Sequence, residues 1–287
     1  PGSDGCLCIF NNEVGFSEKN IESISSVGLS TKVKAEGYIG EKGIGFKSVF
    51  IVSSAPHIYS NGFAIKFLED DPDFILDYIV PYWLELIPSI VIKHSAKTSI
   101  LLPLKLGKKQ LITEHLKSIK AETILFLKKL KGISVELEAT QEAPQLKRST
   151  LESGVTELTV QHSPSQIVVK SYWLFSQKVN VPSELKEEKR EGVTERDITI
   201  AFPLTEEARH GTIYAFLPTE VDSGLPFLIN ADFMLTANRE SIQVEREWNI
   251  WTQKQIATTV ARAILQRIEV ETQDHRTYGF IPVPGSA

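Results

Sequence analysis

The sequence is poor in cysteine and has no excess of basic residues. Its only cysteines, Cys6 and Cys8, stand two positions apart on a predicted strand, so their side chains share one face but cannot form a disulfide without distortion. A disulfide framework is excluded. Because 31 lysines and arginines are set against 36 aspartates and glutamates, the net charge is -5. No clear nucleic-acid partner is therefore expected, although a local basic patch stays open.

Long hydrophobic runs and metal-ligand spacings are also lacking. The longest apolar stretch, residues 79–92, is interrupted by Pro81, Glu85 and Pro88, so it is too short and too broken to span a bilayer. The six histidines are scattered, and none stands at ligand spacing from another histidine or a cysteine. We therefore expect a soluble protein with no membrane partner and no metal-ligating residues in this chain.

The first residues of the chain do not have the pattern of a secretory signal peptide. The chain begins at Pro1 and does not show the charged, apolar and small-residue order of such a peptide. We expect an intracellular protein, cytoplasmic or nuclear, and a chain that is a fragment of a longer protein.

The residues that are present indicate a globular α+β protein. At 287 residues, with 42% hydrophobic and 23% charged residues, the chain is about twice the common domain size, so two domains are predicted. Short apolar segments at residues 6–10, 63–67 and 98–104, with a turn at residues 60–62, predict strands of an antiparallel sheet.

Two amphipathic helices are predicted in the first half of the chain, besides a segment that follows a glycine-rich loop. Ser17 caps the first, in which Ile21, Ile24 and Val27 recur on one face. The second covers residues 108–130, where apolar residues recur at helical spacing opposite lysines. We expect this second helix to close or leave the first domain.

The second half is predicted to be a further α+β region. Its apolar segments predict four strands and then a helix, at residues 166–175, 197–202, 212–217, 227–233 and 248–268. The polar stretch 140–165 holds either the joint between the domains or a loop within one sheet, and we place the domains at residues 1–140 and 141–287. The charged segment 183–192 is predicted to be an exposed loop or a solvated helical turn.

A glycine-rich loop is the first sign of function. Gly40, Gly43 and Gly45 lie in a loop that is predicted to enter a helix over residues 44–50. Glycine lets successive backbone N–H groups converge on an anion, and a helix that begins there directs its positive dipole end at the same point. Such a loop is a weak signal on its own, because glycines also serve turns and close packing.

Four separated motifs give that loop a context. They are residues 11–16, 30–32, 38–50 and 98–105, and their order and spacing resemble the GHKL ATPases, the superfamily of gyrases, heat-shock chaperones and histidine kinases. The sequence of residues 38–50 is most similar to sacsin and NO VEIN-type proteins. The resemblance implies a GHKL (Bergerat-type) α/β sandwich, truncated at its N-terminus, in residues 1–140, followed by a transducer-like α+β domain in residues 141–287.

The resemblance also implies an ATP site. Asn11 takes the place of the aspartate that binds the adenine amino group, Gly15 is the remaining glycine of that turn, and Thr98 is at the adenine end. Glu13 replaces the first glycine. An asparagine keeps a carbonyl acceptor but loses the charge-assisted part of the bond, about 1 kcal/mol. For Thr98, the alternative is a β-branched residue that favours a strand.

The phosphates of the nucleotide would lie against the glycine-rich loop. The resemblance assigns their backbone contacts to Gly40, Gly43, Ile44, Gly45 and Phe46. Lys42 and Lys47 would add positive charge, although both lysines also fit a solvated face.

A separate correspondence concerns Arg239. Residues 232–240 resemble a segment of the chaperones' middle domain whose arginine reaches the terminal phosphate, so Arg239 is the candidate catalytic residue. An arginine supplied by a neighbouring domain links nucleotide state to domain position. The alternative is an exposed salt bridge of Arg239 with Glu240 or Glu245.

Part of the family's catalytic machinery has no counterpart in this sequence. GHKL enzymes have a helix before the position of the Asn11 turn, with a glutamate that acts as the base and an asparagine that holds Mg²⁺. No segment after Glu13 has this Glu-x-x-x-Asn motif followed by a strand and the glycine turn. The implied cofactors are ATP and Mg²⁺, with the Mg²⁺ ligand expected upstream of this chain. We therefore expect ATP hydrolysis by the full-length protein and not by this fragment.

Two functional hypotheses follow. The first is an ATP-binding module of a large chaperone-like or clamp-type ATPase, with ATP or ADP as ligand, an unidentified protein partner or client, and a homodimer as one open arrangement. The second is a degenerate GHKL-fold scaffold that binds proteins and does not use nucleotide. Asn11, Glu13 and the lack of a catalytic helix motivate the second.

Overall fold

A computed structural model describes residues 3–25, 46–69, 80–138, 143–163, 165–185, 187–204, 211–270 and 275–281. The chain divides into two compact units, Pro1–His115 and Leu116–Ala287. Each unit contains its own β-sheet, and helices are present in both. The predicted α+β class is confirmed.

The first unit is built on a five-stranded antiparallel sheet with strand order β1-β5-β2-β3-β4. Its strands are β1 (Cys6–Asn11), β2 (His57–Ser60), β3 (Phe63–Lys66), β4 (Tyr82–Trp83) and β5 (Thr98–Pro103). The predicted turn between β2 and β3 is confirmed. Asn61 and Gly62 have φ angles of 50° and 88°, the left-handed conformations that a two-residue hairpin requires.

The core of the first unit lies between this sheet and helix α1 (Glu18–Ser25). The sheet contributes Ile58 and Ile65, and the helix contributes Ile21. The predicted cap is confirmed, because Ser17 Oγ accepts the Asn20 N–H at 3.3 Å. Val27, the third predicted apolar position of this helix, lies outside the described residues.

A short helix, α2 (Ser89–His94), precedes β5, and none of its residues is buried.

On the other side of the first sheet from Ile58, Cys6 and Cys8 are free thiols with their Sγ atoms 3.8 Å apart. The two cysteines therefore share a face, as the sequence predicts, and are not bridged.

The second unit is built on an eight-stranded mixed sheet with strand order β12-β11-β13-β10-β9-β8-β7-β6. Its strands are β6 (Gly132–Ser134), β7 (Gln145–Thr150), β8 (Val155–Ser163), β9 (Gln166–Asn180), β10 (Glu195–Pro203), β11 (Thr212–Ala215), β12 (Leu217–Asp222) and β13 (Leu228–Asn230). The β11–β13 pair is parallel, and the other pairs are antiparallel.

Both faces of the second sheet are covered. Helix α4 (Glu247–Val270) packs Ile256, Val260 and Ala263 against one face. Residues of a 3₁₀ helix, Ala121–Ile124, and the two residues after it pack against the other face. The final helix and the predicted strands at β9 and β10 are confirmed with longer bounds, and the predicted strand 227–233 is confirmed only as the shorter β13. The predicted strand 212–217 ends at Ala215, because Phe216 has φ of 66° and Leu217 begins β12.

The prediction that the polar stretch 140–165 contains the joint between two domains is wrong, because most of this stretch forms the β7–β8 hairpin. Buried positions alternate along β8 at Thr156, Leu158 and Val160, which is the period of a half-buried strand. Polar residues hide this period in the sequence. Together with β6, this hairpin belongs to the second unit, so the units divide after His115 and not after residue 140. The functions assigned to the two domains stay predictions.

The prediction of one long helix over residues 108–130 is also wrong. Helix α3 covers only Lys109–Lys117, and none of its residues is buried. Beyond it, the guanidinium of Arg148 donates to the carbonyl oxygens of Ile124 and Leu125 at 2.8 and 2.6 Å. These tertiary bonds satisfy the end of the 3₁₀ helix and replace the helical continuation that the apolar spacing suggests.

Two absences concern the described part of the chain. Within it, no helix is both long and apolar enough to cross a membrane. No cluster of three or more histidine, cysteine, aspartate or glutamate side chains is arranged to hold a metal ion in those same residues.

The charged segment 183–192 is more buried than predicted. Its short 3₁₀ helix, Glu188–Arg190, buries the Arg190 guanidinium against Asp232, with a 2.6 Å distance from Nη2 to Oδ1. The second carboxylate oxygen of Asp232 accepts Arg196 Nε at 2.6 Å. One carboxylate therefore joins this loop and β10 to the segment after β13.

We expect Asp232→Asn to lower the free energy of unfolding by about 3 kcal/mol, because it removes the carboxylate charge that is bonded to the buried Arg190 guanidinium and to the partly buried Arg196 guanidinium. Urea unfolding at neutral pH measures it. Asp197→Asn is the matched control, since Asp197 is exposed and 4.0 Å from Lys128, and we expect little change from it. Equal losses in the two variants would contradict this account.

A partly buried carboxylate gives the second unit a pH dependence. Glu122 Oε1 accepts Lys170 Nζ at 2.7 Å and Tyr172 OH at 3.1 Å. Burial acts to raise the pKa of Glu122, but the hydrogen bonds and the charge of Lys170 outweigh burial and hold that pKa below its ordinary value. A lowered pKa stabilises the folded state above the unfolded pKa, and this contribution is lost as pH falls through the folded pKa.

We expect Glu122→Gln to lower the free energy of unfolding by about 1–2 kcal/mol at pH 7. The effect is no larger because Lys170 is partly exposed, and solvent screens its charge. The difference from wild type shrinks as pH falls from about 5 to about 3. Urea unfolding across this range measures it, with exposed Glu136→Gln as control. A difference that is constant down to pH 3 would count against the ionised pair.

Candidate functional site

The predicted site residues fall into three groups. Asn11, Gly15, Phe46 and Thr98 are in the first unit, and Arg239 is in the second. The glycine-rich loop lies outside the described residues, and with it Gly40, Lys42, Gly43, Ile44 and Gly45.

The first sheet brings Asn11 and Thr98 together. Asn11, the last residue of β1, is directly opposite Thr98, the first residue of β5. On its other side, Thr98 is directly opposite Ser60, the last residue of β2. Directly opposed residues of antiparallel strands project to the same face. The three side chains therefore form a polar row, Asn11–Thr98–Ser60, across one end of the sheet.

Two hydroxyl groups of this polar row bond to each other. Ser60 Oγ and Thr98 Oγ1 are 2.6 Å apart, and the side chains are buried, with 4% and 1% exposure of the two residues. Ser60 Oγ also accepts the Phe16 N–H at 2.9 Å. Sequence reasoning missed Ser60. Its only signal is its place before the Asn61–Gly62 turn, which aligns the end of β2 with the start of β5.

The turn after β1 is fixed at both ends. Asn11 Oδ1 accepts the Glu13 N–H at 3.2 Å, an Asx turn. At the far end, Asn61 Nδ2 donates to the Phe16 carbonyl at 3.1 Å. The turn that follows the polar row is therefore attached to the β2–β3 hairpin.

Only one of the two family glycines is required by this turn. Gly15 has φ of 93°, and a Cβ there would lie 2.9 Å from Asn61 Cβ, so both conformation and space require glycine. Glu13 is exposed and is not among the described non-glycine residues with positive φ. Its backbone therefore has no need of glycine, and the Glu13 departure from the family pattern is compatible with the turn.

Phe46 begins the 3₁₀ helix Phe46–Ile51 that follows the glycine-rich loop. Its ring packs edge-on against Phe67, with 5.3 Å between the ring centroids. At the other end of the helix, Lys105 Nζ donates to the Phe50 carbonyl at 2.6 Å and pairs with Glu69 at 2.7 Å. A cation at this end satisfies a terminal carbonyl. The segment that leaves the loop is thus held by an aromatic contact and by an ion pair.

Arg239 stands in a loop that follows β13. Leu235 and Ile242 form a bridge across the base of this loop, and Arg239 has φ of 65°, a left-handed conformation that is uncommon for a residue with a side chain. Its Nη2 lies 3.5 Å from the Ala215 carbonyl. The backbone of this position is therefore set by the loop and not by a regular element.

The buried side chain of Asn249, on α4, holds both ends of the Arg239 loop. Its Oδ1 accepts the Met234 N–H at 2.8 Å. Its Nδ2 donates to the carbonyls of Met234 and Gln243 at 2.9 and 2.8 Å. Trp248, 1% exposed, donates from Nε1 to the Asp232 carbonyl at 2.6 Å. Trp248 is therefore a core residue, and together with Asn249 it forms a clamp that sequence reasoning missed.

Comparison with known proteins agrees with the sacsin part of the resemblance. The family model described as the sacsin domain matches residues 2–76, a range that includes the Asn11 turn and the glycine-rich loop. The protein NO VEIN of Arabidopsis thaliana is 30% identical over 269 residues, which cover 85% of this chain and 9% of that protein. This chain therefore spans less than a tenth of the relative's length. The two matches support a relationship of this chain to sacsin-domain and NO VEIN-like proteins.

Proposed function

We propose that this chain is the ATP-binding module of a large chaperone-like or clamp-type GHKL ATPase, in which nucleotide state is coupled to rearrangement of domains. The observation that carries the proposal is the β1–β5 register, in which Asn11 is directly opposite Thr98. The GHKL resemblance assigns these two residues, 87 positions apart in the sequence, to one adenine site. Strand pairing brings them side by side.

The polar row fits a purine base better than it fits a metal ion. It offers one amide and two hydroxyls and no carboxylate, histidine or thiol. An amide forms directed hydrogen bonds with the edge of a base. Apolar residues on the same face, Ile58 and Ile100, begin two residues further along β2 and β5.

The phosphates would be bound by the glycine-rich loop through the backbone of Gly40, Gly43, Ile44, Gly45 and Phe46, with charge from Lys42. Support comes from the anchored segment that follows this loop, where Phe46 and Lys105 make fixed contacts. Mg²⁺ would accompany the phosphates, with its protein ligand supplied by the helix that the resemblance puts upstream. Hydrolysis is accordingly proposed for the full-length protein.

Arg239 is proposed to contact the terminal phosphate in the hydrolysis-competent state. Its support is the clamped loop, because Asn249 and Asp232 fix the segment from which Arg239 projects. A guanidinium on the transferred phosphoryl group stabilises charge that develops in the transition state.

A second candidate is a scaffold of this fold that does not use nucleotide. One observation favours it. The acceptor oxygen of Asn11 is already bonded to the Glu13 N–H, and the Thr98 hydroxyl is bonded to Ser60. The polar row therefore satisfies much of its hydrogen-bonding capacity without a ligand.

Thermal unfolding with and without ATP and Mg²⁺ separates the two candidates. A ligand at a hundred times its dissociation constant stabilises the folded state by about 2.7 kcal/mol. We expect a rise in the unfolding temperature for wild type and none for Gly43→Asp, because the new side chain occupies the phosphate site and repels its charge. Gly279→Asp is the matched control, since a Cβ there meets nothing within 4 Å. An unchanged unfolding temperature in wild type at millimolar ATP favours the scaffold.

Steady-state kinetics on the full-length protein tests Arg239. We expect Arg239→Ala to lower kcat roughly a hundredfold to a thousandfold while the ATP dissociation constant changes much less, because the contact forms in the transition state. Exposed Arg262→Ala on α4 is the matched control. Equal effects on turnover and ATP affinity would refute the assigned role.

A further inference from the structure

Base recognition at the polar row depends on Asn11. Thr98 and Ser60 are buried, and their hydroxyls are 2.6 Å apart. Asn11 is half-buried and ends the row at the outer strand β1. If a base binds here, as the proposed function requires, the Asn11 amide is the accessible polar group of the row.

The orientation of that amide is set by the backbone. Asn11 Oδ1 accepts the Glu13 N–H at 3.2 Å. Turning the amide by half a rotation would direct the NH₂ group at another N–H, so two donors would face each other. The Asx turn therefore holds Oδ1 towards the backbone. Among the residues that the structure describes, Asn11 Nδ2 has no hydrogen bond.

This orientation changes what the site can recognise. A carboxylate at this position only accepts hydrogen bonds, and so it selects a base with an amino group at purine position 6. Asn11 offers the Nδ2 hydrogens as donors and keeps one further lone pair on Oδ1. The donors complement a carbonyl at purine position 6, as in hypoxanthine or guanine, and the lone pair still accommodates the amino group of adenine.

We propose that Asn11 makes this a site for 6-oxopurine nucleotides, which bind at least as tightly as ATP. The inference rests on the proposed function, since it specifies the base of the nucleotide at that same site. ATP and inosine triphosphate are the sharpest pair of probes, because they differ only at position 6 and the adjoining ring nitrogen. Guanosine triphosphate adds a second 6-oxopurine.

The experiment measures the dissociation constants of ATP, inosine triphosphate and guanosine triphosphate with Mg²⁺ by calorimetry on the 287-residue chain. For wild type, we expect inosine triphosphate to bind as tightly as ATP or more tightly. For Asn11→Asp, we expect the affinity ratio to move about tenfold or more towards ATP, because the donor is replaced by a charged acceptor. Asn12→Asp puts the same charge on the adjacent exposed residue and should leave the ratio unchanged.

The outcomes distinguish this inference from the proposed function. The base preference would be overturned if wild type bound ATP at least about threefold more tightly than it bound inosine triphosphate, a difference well below the strength of one charged hydrogen bond. ATP binding itself would then still stand. An unchanged ratio in Asn11→Asp would also overturn it. If no nucleotide binds at millimolar concentration, the proposed function fails and the base preference with it. If Asn11→Asp does not fold, the ratio of the ATP and inosine triphosphate dissociation constants in wild type still tests the base preference.

Discussion

The hydroxyl of Ser60 is the contact on which the first unit's candidate site depends. It bonds Thr98 on β5 and accepts the backbone N–H of Phe16 in the turn after β1, while Ser60 itself ends β2. Three segments that are distant in sequence therefore meet at one oxygen atom. Because that oxygen is buried, water does not compete for these bonds, and the turn is held at a defined distance from the sheet.

The second unit uses buried amide and carboxylate groups for a similar purpose. Asn249 satisfies backbone groups at both ends of the Arg239 loop, and Asp232 joins Arg190 and Arg196 just before that loop begins. A loop with a left-handed arginine needs such support, because a side-chain-bearing residue in this conformation adds a conformational cost that the surrounding contacts must offset. The core under α4 thereby determines the conformation of a surface segment.

Local patterns in the sequence predicted elements whose signals are themselves local. Ser17 capped a helix, Asn61 and Gly62 formed a hairpin turn, and the last helix followed its apolar spacing. The errors arose where tertiary contacts decide. Arg148 ends the segment at Ile124 and Leu125, and no local pattern encodes a guanidinium that comes from a strand more than twenty residues later. Thr156 conceals the strand period of β8 because a buried threonine counts as polar.

The candidate site was predictable in part, and for a different reason. Asn11, Gly15 and Thr98 came from motif resemblance, and strand register then put Asn11 opposite Thr98. Ser60, Lys105 and Asn249 were not predictable. Serine, lysine and asparagine are common at surfaces, and their roles depend on partners that only the folded chain brings near. The conformation of the glycine-rich loop stays a prediction.

Strand β9 has a mechanical consequence. Its 15 residues extend roughly 50 Å, and it pairs with β8 along one edge and β10 along the other. A force applied along this strand would load many ladder hydrogen bonds at the same time instead of opening them one by one. Tension applied along β9 would therefore meet the combined resistance of both ladders.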